Sequence, residues 1–407
     1  MDMAQRRLDA LSLASFVALG LPDGMLGTAW PAMRTTLHAP VGDLGFVLLG
    51  ATAGSVLITT FIGRLIRRVG VAALLVAGMA CAAVAAAGFA LAPVFGVILG
   101  VAVLFGLAAG STDGALNTAI GLSGRRRLIN LLHGAYGVGT AIGPLVVTAA
   151  IVTASWRAAY LILLVADCGM AVLWALQRRA AALGPAGAGS GAPDGARAAT
   201  AAAHDGRPTA AVPDRALRAA VIAGIVVFFV YAGLEVAAGQ WETSFARGHL
   251  HLGTSAAGLA TFGYWAALTL VRLALGLLPR APSHQSVVRW GSAVAVLACA
   301  LIWWQPDTAA TVAGFVVLGG ALAGVFPALI ALTPARLGAE RAQHAIAWQV
   351  GASAAGAAGV SAVIGILIGA SGLGVLGAAL TVLALVLVAS EAVLGKLAPL
   401  NKARGGP

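Results

Sequence analysis

Charged residues are scarce in this chain. Only 10% of its 407 residues are Asp, Glu, Lys or Arg, whereas a soluble domain has roughly 25%. Acidic residues are the rarest, with 14 against 25 basic ones, and aromatic residues make up only 6%. Hydrophobic residues make up 60%. This balance excludes a string of soluble domains and predicts a polytopic membrane protein, because each bilayer-spanning helix needs about 20 apolar residues.

Cysteines and nucleotide or hydrolase motifs are also lacking. The three cysteines, Cys81, Cys168 and Cys299, lie in separate apolar stretches, so their spacing predicts neither a metal site nor a disulfide framework. No G-x-x-x-x-G-K-[ST], H-E-x-x-H or G-x-S-x-G sequence occurs, so nothing indicates ATP-driven or hydrolytic chemistry. We therefore expect no enzyme activity, no metal and no cofactor.

Apolar stretches separated by charges and turn residues predict twelve membrane spans. The predicted spans are residues 9–33, 43–63, 71–91, 95–122, 128–152, 157–177, 217–245, 255–279, 286–304, 309–333, 343–369 and 372–395. Residues 178–216 are rich in Gly, Ala and Pro and lack apolar periodicity, which is typical of a flexible linker. We predict an all-α membrane protein with an N-terminal six-helix bundle (1–177), this linker, and a C-terminal six-helix bundle (217–407).

The basic residues lie almost entirely on one side of this arrangement. Twenty-one of the 25 fall in loops on the side of the two termini, Arg34, Arg157 and Arg247 fall on the other side, and Arg272 lies within a span. This is the positive-inside pattern, so the basicity predicts topology rather than nucleic-acid binding. We expect both termini in the cytoplasm and the protein in the inner (plasma) membrane. No signal-peptide cleavage site follows the first apolar run, which we expect to remain as the first span.

The two halves are related in sequence. Glycines of the second and eighth spans recur at a constant offset, Gly45, Gly50 and Gly63 matching Gly258, Gly263 and Gly276. Such a duplicated pattern is typical of a transporter with its site between two bundles. Three G-x-x-x-G sequences, starting at Gly106, Gly139 and Gly320, predict close helix approach. Tight packing and sliding during transport need the same residues, so both interpretations stay open.

Asp23 is the first ionisable candidate, because ionisable groups within spans are costly and usually functional. It lies mid-depth in the first span, in GLPDGMLGTAWP, where Pro22, Gly20 and Gly24 are expected to weaken the helix. We interpret Asp23 as a proton-coupling residue. The alternative is a structural carboxylate that caps a broken helix.

A second set of polar residues is predicted near the inner ends of the fourth and fifth spans. Asp113 and Asn117 share one helix face and can form a hydrogen bond, and Asn130, His133 and Tyr136 follow one side of the next helix. We expect these five residues to bind substrate, with Asp113 and His133 also assisting proton coupling. A structural network that joins the two helices is the alternative.

The C-terminal half offers the residue types of a sugar site. Carboxylates and amides bind hydroxyl groups, and indole rings stack on the apolar face of a sugar. The predicted substrate-binding residues are Tyr231, Glu235, Gln240, Trp241, Tyr264, Trp265 and Gln349. Trp241 alternatively belongs to an interfacial aromatic belt. Arg272 is expected to snorkel to the cytoplasmic face or to pair with a carboxylate, and Asp167 has no predicted partner.

These motifs resemble the major facilitator superfamily, and within it the fucose/glucose/galactose–proton symporter branch with its fucose-permease-like relatives. The resemblance depends on GLPDGMLGTAWPAMR, GSTDGALNT, NLLHGAYGVGTAIGP, SWRAAY, YAGLEVAAGQW, GYWAALTLVRLALGLL and GVFPALIALTPARLG. It implies a proton-coupling role for Asp23 and a substrate-binding role for Asp113, although Asp113 stands where fucose permeases typically have Glu. Arg67 replaces the Asp of the loop motif between spans two and three, and GTAIGPLVV is half of a drug-antiporter motif.

We therefore predict a secondary transporter that imports a small, sugar-like solute together with protons by alternating access. Its expected partners are the solute, protons and the lipid bilayer, with no nucleic acid, and we expect a monomer. A proton-coupled antiporter that exports drugs or metabolites is the first alternative. A transport-inactive membrane sensor is the second.

Overall fold

The computed structural model describes residues 3–123, 125–182, 214–278 and 282–399. These residues contain twelve helical segments long and apolar enough to span a membrane, and no strand. The predicted all-α fold is thereby confirmed. The helices are Met3–Leu37, Leu44–Val69, Val71–Leu91, Phe95–Leu122, Arg126–Thr153, Trp156–Ala182, Asp214–Gly248, Thr254–Leu277, His284–Trp304, Thr308–Leu322 with Val325–Leu337, Ala339–Ser371 and Val375–Leu397. We number them as spans 1 to 12, the tenth comprising two helices.

Helix bounds follow the predicted spans, with three informative differences. Span 1 continues as one helix through Pro22 and Pro31, so the expected weakening at Pro22 does not interrupt it. Span 10 is divided at Ala323–Gly324. Span 6 ends at Ala182 and span 7 begins at Asp214, so most of the predicted linker 178–216 lies outside the described residues.

Spans 1–6 and spans 7–12 form two bundles with related contacts. Span 1 packs on span 5 and span 3 on span 6 in the first bundle, as span 7 packs on span 11 and span 9 on span 12 in the second. Glycines predicted to be repeat-related make equivalent contacts between the bundles. A Cβ built at Gly45 of span 2 would lie 2.4 Å from Ala362 of span 11, and one at Gly258 of span 8 would lie 1.9 Å from Thr148 of span 5.

Two of the three G-x-x-x-G sequences bring helix backbones together, as predicted. A Cβ at Gly139 of span 5 would lie 2.1 Å from the carbonyl oxygen of Val17, and one at Gly106 of span 4 would lie 1.8 Å from that of Ala51. In span 10 the close approach is instead made by Gly319, next to the predicted Gly320, against the carbonyl oxygen of Tyr264 at 2.3 Å. These contacts leave no room for a side chain.

Contacts between the bundles close one side of the molecule. We call the side that carries both chain ends the terminal face and the opposite side the far face. Near the far face the Thr243 hydroxyl donates to the Thr28 hydroxyl at 3.2 Å, joining spans 7 and 1. Gly42, beside span 2, packs against Gly365 of span 11 with 2.4 Å between a built Cβ and the opposing carbonyl oxygen.

Towards the terminal face, spans 5 and 8 of the two bundles touch, and the Thr269 hydroxyl donates to the Gly137 carbonyl oxygen at 3.0 Å. One turn nearer the terminal face, a Cβ built at Gly134 of span 5 would lie 2.8 Å from the Leu273 side chain of span 8. His133, next to Gly134, is exposed.

The packing of spans 1 and 5 predicts that Gly24→Ala is destabilising. The added methyl group would lie 1.9 Å from the Thr140 carbonyl oxygen, and such overpacking costs about 1–3 kcal/mol or more. We expect a lower apparent Tm for the purified variant, measured by intrinsic tryptophan fluorescence. Gly100→Ala is the matched control, because its built Cβ meets nothing within 4 Å. Equal Tm values for the two variants would contradict the close packing.

Candidate functional site

A cavity of about 410 Å³ lies between the two bundles. Spans 1, 2, 3, 4, 5, 6, 7, 8 and 11 line it, and apolar residues, eight of them alanines, make up most of its wall. Its polar and ionisable lining residues are Asp23, Thr52, Ser55, Thr112, Tyr136, Thr140, Asp167, Glu235, Gln240, Thr269 and Arg272. A largely apolar cavity with a few placed polar groups is typical of a small-molecule site.

Asp23 connects three helices at this cavity. The Tyr136 hydroxyl of span 5 donates a hydrogen bond to the Asp23 carboxylate within the first bundle. Gln240 of span 7 donates through Nε2 to the main-chain oxygen of Asp23 at 2.8 Å, which joins the two bundles. The Gln240 side-chain oxygen is buried and has no hydrogen-bond partner among the described residues. Asp23 therefore contributes its side chain to a contact within one bundle and its main chain to a contact between bundles.

An ion pair lies on the opposite wall. The Arg272 guanidinium of span 8 lies 3.5 Å from the Glu235 carboxylate of span 7. The Tyr231 hydroxyl donates to the same carboxylate, and the Tyr264 hydroxyl donates to the Glu235 main-chain oxygen at 2.6 Å. The expected snorkelling of Arg272 is not observed, because a carboxylate on the neighbouring span lies within its reach and holds the guanidinium at the cavity wall.

The same residues hold the break in span 10. Pro327 has no N–H, so the Ala323 carbonyl lacks its main-chain donor four residues on. Arg272 donates through Nε to that carbonyl at 2.9 Å. The Tyr231 hydroxyl, which shares its single proton between the Glu235 carboxylate and the Leu322 carbonyl, lies 3.0 Å from the Leu322 oxygen. Side chains of spans 7 and 8 thus contact the two carbonyls at the joint of span 10.

Comparison with known proteins agrees with this architecture. Residues 12–359 match the sequence profile of the Major Facilitator Superfamily. The chain belongs to this superfamily. It is therefore a membrane transporter by family and not an enzyme. No curated protein matches its sequence.

The structure also resembles the crystal structure of a mutant of the nucleoside transporter NupG. The TM-score is 0.73 at 14% sequence identity, and the match covers 95% of this chain and 99% of that one. At this identity the likeness shows the superfamily fold alone. Neither comparison tests the predicted fucose-permease-like branch.

Five of the predicted site residues of this superfamily member line the cavity. They are Asp23, Tyr136, Glu235, Gln240 and Trp265. The indole of Trp265 is only 6% exposed and packs against span 7, where a Cβ built at Gly239 would lie 2.2 Å from the ring. The structure therefore brings together residues that the sequence places far apart, on spans 1, 5, 7 and 8.

Four predicted residues of the C-terminal half lie outside the cavity. Tyr231 and Tyr264 are fully buried behind the wall, where they bind Glu235. Trp241 is also fully buried and donates through Nε1 to the Ser361 carbonyl at 3.2 Å, so it is neither a cavity residue nor an interfacial one. The Gln349 side-chain oxygen accepts a hydrogen bond from Thr333 at 3.0 Å, within the second bundle.

The predicted polar cluster of spans 4 and 5 lies on the terminal side of the cavity. Asn117 donates to the Asp113 carboxylate at 2.8 Å, as expected. His133 faces Asp113 and packs edge-on against Phe16 at 5.9 Å between ring centroids. Asn130 is exposed and joins no recorded side-chain hydrogen bond among the described residues. These four residues do not line the cavity.

Two ionisable cavity residues, Arg272 and Asp167, had no predicted site role. Arg272 could have been found from charge balance, because it is the lone cation placed within a span and Glu235 is a carboxylate of the same half. Asp167 could have been found from the period of span 6, since Tyr160, Leu163, Asp167, Met170 and Trp174 form its buried stripe. The stripe gives the direction of the side chain, whereas the cavity that it meets depends on tertiary packing.

The Arg272–Glu235 contact predicts non-additive stability effects. Either single variant, Glu235→Gln or Arg272→Gln, leaves one largely buried charge without its partner, which is destabilising. We expect the double variant to lose less stability than the two single losses combined, by on the order of 1–3 kcal/mol. Apparent Tm values of the four proteins in one detergent would measure this. Strictly additive losses would show that the two groups are independent.

Proposed function

We propose that the protein imports a small, neutral, polyhydroxylated solute together with protons, by alternating access of the cavity. The observation that carries this proposal is the position of Asp23. It lies at the cavity, accepts a hydrogen bond from Tyr136 and is joined through its main chain to Gln240 of the other bundle. Proton binding there changes the charge at the junction of the bundles.

The composition of the cavity supports a hydrophilic cargo. Its wall carries three carboxylates, Asp23, Asp167 and Glu235, and one guanidinium. Trp265 and Gln240 line the cavity, and an indole ring and a side-chain amide suit the apolar face and the hydroxyl groups of a sugar. A drug exporter would favour an aromatic wall poor in carboxylates. Because NupG is a nucleoside transporter and a nucleoside contains a sugar ring, nucleosides belong in the same solute class.

The charge distribution supports the topology of the proposed import. Basic residues predominate on the terminal face, so the positive-inside rule assigns that face to the cytoplasm of the inner membrane. In the proposed import cycle, the solute and the proton leave the cavity on the side of this face. Asp113 and His133 flank this route and assist proton release. A monomer contains the whole proposed site.

Proteoliposomes that contain a pH-sensitive dye test the proposal. L-fucose, D-glucose, D-galactose, uridine and tetraphenylphosphonium are added in turn to the wild-type protein. We expect one sugar or uridine to acidify the lumen, and we expect Asp23→Asn to abolish that signal. Asp307→Asn is the matched control, because Asp307 is an exposed helix cap far from Asp23 in the sequence, and Asn retains the cap.

Other outcomes would redirect the proposal. Proton counterflow with tetraphenylphosphonium and silence with the other solutes would establish efflux. Unchanged acidification in Asp23→Asn would remove Asp23 from coupling. Silence with every solute, together with native folding, would favour the transport-inactive sensor.

Tyr136→Phe tests the hydrogen bond at Asp23 separately. A hydrogen bond to a charged group contributes about 1.5–3 kcal/mol, so we expect proton-driven uptake to fall about tenfold or more while solute exchange persists. Tyr160→Phe is the control, because the hydroxyl of that buried tyrosine contacts only the Met33 sulfur, at 3.9 Å, among the described residues. Equal uptake by the two variants would show that the Tyr136 hydroxyl is dispensable.

A further inference from the structure

Asp167 is a carboxyl group of the cavity that the proposed coupling through Asp23 does not use. It is 3% exposed and lines the cavity from span 6. No hydrogen bond to its side chain is recorded within the described residues, and neither is an ion pair. It therefore differs from Asp23 and Glu235, each of which accepts a hydrogen bond from a tyrosine.

The packing of span 6 fixes the depth of Asp167. On one side of it Tyr160 contacts Met33, and on the other side Trp174 donates to the Ser15 hydroxyl at 2.9 Å. Asp167 lies midway between those two contacts along span 6. The matching midpoint of span 1 is the segment around Asp23. The two carboxyls therefore lie at about the same depth in the first bundle.

The surroundings of Asp167 offer no countercharge. Span 6 packs on spans 1, 3 and 5. The titratable side chains that these spans carry at this depth are Asp23, Tyr136 and Cys81, and the Cys81 thiol is directed to the Leu104 carbonyl at 3.4 Å. Arg272 is the sole basic group among the described cavity-lining residues, and it is paired with Glu235 of the other bundle.

An ionised Asp167 would be a buried, unpaired charge, which costs several kcal/mol even after relaxation. The span 3 residues on the cavity wall, Met79 and Ala82, provide no hydrogen-bond donor from their side chains. Protonation removes this cost because the neutral acid carries no charge. We propose that Asp167 is a second proton-binding carboxyl of the cavity, so that the first bundle carries two such groups, Asp23 and Asp167.

The proposal that Asp167 binds a proton does not depend on the identity of the solute. A role for Asp167 in coupling rests on the proposed function. Two sites in one bundle allow up to two protons to be carried in each cycle. Because both lie at the depth of the cavity, both change their access to water when the bundles rock.

Infrared difference spectroscopy of the full-length protein in liposomes at neutral pH tests the proposal. The wild-type spectrum minus that of Asp167→Asn is expected to contain the C=O stretch of a protonated carboxylic acid. The wild-type spectrum minus that of Asp307→Asn is expected to contain carboxylate stretches instead, because Asp307 is exposed. Carboxylate stretches in the Asp167→Asn difference would overturn the proposal.

A measurement on the wild-type protein covers the case in which Asp167→Asn does not fold. A hydrophobic carbodiimide reacts with protonated carboxyl groups that it reaches from the membrane or from a cavity. Peptide mass spectrometry is expected to find the adduct on Asp167 and not on Asp307, and an unmodified Asp167 would count against the proposal. Neither measurement contains a solute, so failure of the solute panel and failure of this inference are distinguishable.

Discussion

The close packing of spans 1 and 5 is the constraint on which the cavity depends. Glycines on both helices let the backbones approach until Gly24 faces the Thr140 carbonyl and Gly139 faces that of Val17. This approach sets the Tyr136 hydroxyl against the Asp23 carboxylate. A wider spacing would leave both groups in a largely apolar cavity without a partner, which is costly within a membrane. The same small residues thus determine both the packing of spans 1 and 5 and the placement of the polar site.

The two walls of the cavity differ in whether their carboxylates have a cationic partner. On the second bundle, Glu235 and Arg272 balance each other and are held by tyrosines. On the first bundle, two aspartates face the cavity with hydroxyl and apolar neighbours but no cation. In the proposed function, the first wall binds protons, and the second wall, with its ion pair, contacts the solute. This difference between the bundles follows from the position of Arg272, the one arginine among the described cavity-lining residues.

The sequence predicts the fold in detail because hydrophobic run length and charge placement decide it. Spans 3 and 4 have the predicted bounds, and the repeat of Gly45 in Gly258 becomes a pair of equivalent contacts. The site is predicted less completely. Residue type indicated Asp23 and Glu235, which line the cavity, but it also indicated Trp241 and Tyr264, which are buried outside it. Whether a polar side chain lines the cavity depends on how its helix is rotated about its axis. The sequence of a uniformly apolar helix contains little information about that rotation.

The divided span 10 has a mechanical consequence. A continuous helix transmits a tilt along its whole length, because each turn is bonded to the next. At Leu322 and Ala323 that continuity is replaced by side-chain bonds from Tyr231 and Arg272. The two halves of the span can therefore tilt separately, and the residues that hold the joint are bonded to Glu235 at the cavity wall. Span 10 contributes no side chain to the cavity wall, yet its bend is set by groups that touch that wall.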